Sequence, residues 1–154
     1  SWQSRAVRPS ADTLLILAPH WDRAPALRQV AWDVLAIADG DAADDALLDA
    51  LATISPLDAD FGSLLGAIGR RQILEALPQL YEYLEDTEPA TRRFAARALS
   101  RYPTEQVRTP LQRALETEED DRVRSALETA LGIQQTNQRL EDAADRIRRL
   151  GDVQ

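Results

Sequence analysis

The chain has 154 residues, 44% of them apolar, and a formal net charge of −8. That length is enough for one compact domain or a short repeat array. It has no cysteine, which excludes a disulfide framework and thiolate chemistry, and its acidic balance lacks the basic footprint that nucleic-acid binding requires. No apolar run reaches the ~18–20 residues of a membrane span and no signal-peptide pattern opens the chain, so the expectation is a soluble, cytoplasmic protein. Ala, Leu, Arg and Glu dominate, which favours helix throughout. All 18 basic residues are Arg, a usage that carries no mechanism. The chain contains no methionine, and the expectation is a domain cut from a longer protein, with Ser1 as its boundary.

Residues 1–9 show no periodicity and read as a linker. A first helix is expected near 11–18, capped by Ser10 or Asp12, followed by a turn at Pro19-His20-Trp21-Asp22 and a helix over 25–37. The next pair is placed at 43–54 and 59–69, with Ser55-Pro56 between them. A third pair occupies 73–102 with a turn at Asp86-Thr87-Glu88-Pro89, and a fourth 105–133 with a turn from Thr117 to Asp121. Pro78 and Pro110 are expected in the first turns of their helices, where a missing N–H costs little. Thr136 to Leu150 forms one more amphipathic helix, with Leu140, Ala144, Ile147 and Leu150 on a stripe, and is expected to cap the array.

The pairs repeat. Leu27-Arg28-Gln29-Val30-Ala31-Trp32-Asp33-Val34-Leu35 returns as Thr91-Arg92-Arg93-Phe94-Ala95-Ala96-Arg97-Ala98-Leu99 and as Val123-Arg124-Ser125-Ala126-Leu127-Glu128-Thr129-Ala130-Leu131. The end of another copy is Leu65-Gly66-Ala67-Ile68-Gly69. The anchors Leu35, Ile68, Leu99 and Leu131 lie 33, 31 and 32 residues apart, a period that means a stacked-repeat protein. Leu35, Ile68 and Leu99 each precede a core Leu of the next pair by 12 residues: Leu47, Leu80 and Leu111. A second apolar residue follows each of these four later (Leu51, Leu84, Leu115), on the same helical face.

This phrase, with Arg, two small residues and a terminal Leu after an acidic turn, resembles the HEAT repeat, and most closely the short bacterial type of phycobilisome-lyase-like proteins. The resemblance covers residues 10–133 and implies an all-α, right-handed α-α superhelix of about four two-helix repeats plus a C-terminal capping helix. Residues 134–154 are that helix and tail. Phe61 stands where the other units have Arg, and the boundary there is expected to be less regular. The resemblance also implies that each Arg pairs with an acid in its own turn: Arg28 with Asp22, Arg92 with Asp86, Arg124 with Glu118 or Asp120. It further implies that the second helix of each pair lines the concave side. Offsets of one, four, five and eight from the Arg slot then face outward. The candidate partner-binding residues are Trp32, Asp33, Leu65, Arg93, Arg97 and Glu128, running from an apolar to a charged end. The glycines at 62, 66 and 69 would either let another backbone approach or allow close helix packing.

Candidate chemistry is sparse. His20 is the only histidine, which excludes a His-rich zinc site and the paired-His metalloprotease motif. A calcium loop starting at Asp39 would place Ala43 and Ala50 at its fifth and twelfth positions, so Asp39 to Asp45 reads as a capping loop. Five carboxylates between Glu116 and Asp121 read as a solvated turn. No catalytic residue, metal ligand or cofactor is expected. The function expected is a non-catalytic protein-interaction or scaffold module that binds a protein or peptide on its concave face, and the net charge would favour a basic partner. The alternatives are an accessory HEAT domain of a larger enzyme, such as a bacterial zinc aminopeptidase, or a bilin-lyase-like or DNA-glycosylase-like protein.

Overall fold

The computed structural model of the chain describes residues 24–152. The expected linker, the helix near 11–18 and the turn containing His20 and Asp22 lie outside the described residues. The described residues form eight helices: α1 (Pro25–Leu35), α2 (Asp41–Thr53), α3 (Phe61–Arg71), α4 (Leu77–Tyr83), α5 (Pro89–Leu99), α6 (Thr104–Thr117), α7 (Asp121–Leu131) and α8 (Ile133–Gly151). A 3-10 turn, Leu74–Ala76, leads into α4, and no β-strand occurs among the described residues. Pro25 and Pro89 open their helices, where the absent N–H and fixed φ cost nothing. Pro110, expected in a first turn, instead lies inside α6, because that helix already starts at Thr104. The Gln106 carbonyl that Pro110 cannot satisfy accepts a bond from the Tyr81 hydroxyl at 3.4 Å.

The helices form two layers. In one, α1, α3, α5 and α7 pack successively on each other; in the other, α2, α4 and α6 each pack on the helix that follows in sequence. The anchors Leu35, Ile68 and Leu99 and their counterparts Leu47, Leu80 and Leu111 are all fully buried between the layers, each burial contributing about 1.5–3 kcal/mol. Leu131, in the last pair, is only half-buried.

Glycines set the spacing within the α1–α3–α5–α7 layer. A Cβ on Gly69 would stand 2.6 Å from the Ala98 carbonyl oxygen, and one on Gly62 would stand 2.5 Å from the Phe94 ring. Both are therefore packing glycines that bring α3 and α5 close. The α2, α4 and α6 helices pack on their own partners more than on one another.

Two arginine side chains bridge successive repeats, and Asp22, the expected partner of Arg28, lies outside the described residues. Arg28 donates to Asp60 at 2.9 Å, and Arg92 forks onto Glu118 through Nε (2.8 Å) and Nη2 (2.9 Å). Each acid belongs to the following repeat. The expected partner Asp86 gives Arg92 only its backbone carbonyl, at 2.8 Å, because its carboxylate accepts from the Glu88 N–H. Arg124 likewise reaches the Glu118 carbonyl at 2.9 Å, while Asp120 caps α7 through the N–H groups of Arg122 and Val123. At the Phe61 position an aromatic cluster replaces the clamp. Phe61 is buried, with its ring edge-on to Tyr83 at 5.0 Å and tilted against Phe94 at 6.1 Å. Arg71 adds a further tie, donating to the Leu35, Ala38 and Gly40 carbonyls at the end of α1 and to Asp44.

From residue 139 onward, α8 leaves its expected stripe uncovered. A single residue, Gly132 in the left-handed region at φ 69°, separates α7 from α8. An antiparallel return needs roughly two to five linking residues. Leu140, Ile147 and Leu150 on its stripe are consequently exposed.

Candidate functional site

The candidate face is assembled from one side of α3, α5 and α7. Offsets one and five from the Arg slot point to solvent on α5 and α7: Arg93, Arg97, Ser125 and Thr129 are all exposed, and Gly66 at offset five of α3 is exposed too. Offset four does not. Trp32 (4% exposed), Leu65 and Ala96 are buried, because the next helix of the same layer lies over them. This corrects the expectation that Trp32 and Leu65 form an outward apolar patch. The Trp32 indole N–H donates to Asp60 Oδ2 at 2.7 Å, and the same carboxylate accepts from Arg28. Trp32 is thus part of the contact between α1 and α3. Glu128, the offset-four residue of α7, has no further layer helix beyond it and remains half-exposed. Asp33 is exposed on α1, two helices away from the arginines.

A groove of about 970 Å³ runs between α5 and α7, lined by Arg93, Arg97, Arg101, Arg122, Ser125 and Thr129. Arg97 and Arg101 also line a second groove, between α3 and α5, with Gly62 and Gly66. The two grooves join across α5 into one surface. A Cβ at Gly66 would meet nothing within 4 Å, so this glycine, unlike its two neighbours, leaves the floor bare rather than closing a helix contact. Arg101 and Arg122 were not singled out in the sequence, because both lie just outside the repeated phrase: one after the end of α5, the other at the start of α7.

The charge here opposes that of the whole chain. Four guanidiniums surround the joined groove, and their side chains have no ion-pair or hydrogen-bond partner among the described residues. Asp121 is the single carboxylate on the lining. The net charge would favour a basic partner, whereas on this lining arginines outnumber the one carboxylate. Among the described residues, no group of three or more His, Asp or Glu could hold a metal ion, and no helix is long and apolar enough to cross a membrane.

The HEAT-repeat family model matches residues 62–132, which is α3 through the end of α7. No curated protein and no solved structure gives a significant match. The matched segment contains the whole arginine-lined surface, and α1 and α2 extend the same two layers ahead of it. The segment from 62 to 132, just under half of the chain, is similar to HEAT repeats.

Proposed function

We propose that the chain is a non-catalytic protein-interaction module that seats a segment of a partner protein in the groove across α3, α5 and α7. The observation that carries this reading is the groove's lining, in which unpaired guanidiniums stand beside a bare glycine and short hydroxyl side chains. Arginine is among the residues that most often dominate interface energies, and its fork suits planar acceptors. Gly66, Ser125 and Thr129 let a partner backbone approach between the long side chains. HEAT repeats commonly mediate protein–protein interaction, which agrees with such a role.

The test is site-specific photo-crosslinking in source cells. A benzophenone side chain at Ser125, in the groove, is compared with one at Thr109, exposed on the opposite layer in α6. The module reading expects protein adducts from Ser125 and none from Thr109. Equal adducts from both positions, or none from Ser125, would refute it.

A further inference from the structure

We infer that the occupant of this groove is an acidic segment of a partner protein, bound extended across α3, α5 and α7, with its carboxylates on Arg93, Arg97, Arg101 and Arg122. The inference rests on the binding-module reading and adds the chemistry of the ligand.

The arrangement costs the fold something. Arg93 and Arg97 are spaced i, i+4 on α5, where like charges repel. Arg122 sits in the first turn of α7, the end of a helix that disfavours cations. None of the four is compensated by an ion pair among the described residues, although the chain carries 26 acidic residues against 18 arginines. The half-buried Arg28, Arg71 and Arg92, by contrast, each hold a carboxylate. Uncompensated cations gathered on one face of an acidic protein attract an acidic ligand.

The size of the footprint favours a short protein segment over a nucleic acid. Two helix-to-helix steps of ~9 Å each are spanned by about six extended residues at ~3.3 Å per residue. A longer phosphate backbone would run off this surface onto the acidic exterior, including the Glu116 to Asp121 turn.

The test uses the full chain and fluorescein-labelled peptides of about six residues, one alternating Glu and Asp, the other alternating Arg and Ser, read by fluorescence anisotropy. A duplex DNA oligonucleotide is the third probe. The acidic peptide is expected to bind, with affinity falling as salt is raised. The double variant Arg97→Glu/Arg101→Glu should weaken it more than about tenfold. Arg108→Glu/Arg139→Glu makes the same change in net charge on exposed residues away from the groove, and should leave binding within about twofold. Thermal melts confirm that both variants fold. Failure of the acidic peptide to bind, equal weakening by both variants, or tighter binding of the DNA through Arg97 and Arg101 would each overturn the inference. If Ser125 adducts persist in cells while the acidic peptide fails, the ligand chemistry is wrong and the module reading stands.

Discussion

Gly66 and Gly69 lie three residues apart on α3 and receive opposite predictions for the same substitution. Replacing either with Ala relieves the conformational freedom of glycine in a helix, a gain of about 0.5–1 kcal/mol. At Gly66 nothing lies within 4 Å of the new methyl, so Gly66→Ala should stabilise by that amount. At Gly69 the methyl would stand 2.6 Å from the Ala98 carbonyl oxygen and 3.0 Å from its Cα. Ordinary contact is ~3.5 Å, so the Ala98 backbone must retreat by roughly 0.9 Å. Such overpacking of a fixed backbone costs about 1–3 kcal/mol. The propensity gain is common to both variants, so the packing cost alone separates them. Urea denaturation followed by circular dichroism measures the gap through the shift in midpoint at constant slope. Gly69→Ala matching Gly66→Ala in stability would refute the close approach of α3 and α5.

Three further outcomes are expected. Asp60→Ala removes the acceptor shared by the Trp32 indole N–H and the Arg28 guanidinium, leaving Arg28 with Asp58 at 4.0 Å, and should destabilise by about 3 kcal/mol on thermal melting. The Arg92 guanidinium holds the Glu118 carboxyl below its usual value of 4.5. That contribution is complete above pH 4.5 and is lost as acidification passes through the depressed value, so Glu118→Gln should flatten the melting temperature against pH below 4.5. Trp32→Ala should cost about 3–5 kcal/mol as a core truncation, whereas Arg97→Ala should change chemical-denaturation stability by less than about 0.5 kcal/mol.

The architecture was legible because burial between two helix layers imposes a repeating demand. Leu35, Ile68 and Leu99 must be apolar at a fixed phase, and so must Leu47, Leu80 and Leu111, so the period stands out in one sequence. Contacts between repeats were less legible, since they join residues about 30 positions apart with no local mark. Arg28 and Arg92 were recognisable as clamps, yet the acids Asp60 and Glu118 that they reach sit in the next repeat. Trp32 misled for the same reason. Helical spacing alone puts offset four near the solvent edge, and only the neighbouring helix decides that it is buried. Arg93 and Arg97 were found from that spacing because offsets one and five do face out. Arg101 and Arg122 were not, because the repeated phrase ends before one and begins after the other. The whole-chain charge concealed that four exposed arginines gather on one face.

A ligand held on the arginine-lined face of α3, α5 and α7 must perturb that face and leave the other layer alone. Titrating the isotopically labelled chain with the acidic peptide while following backbone amide resonances tests this most directly. The expected shifts are confined to the neighbourhood of Gly66, Arg97, Arg101, Arg122 and Ser125, with α2, α4 and α6 unmoved. Shifts concentrated on α2, α4 and α6, or along the exposed stripe of α8, would contradict it.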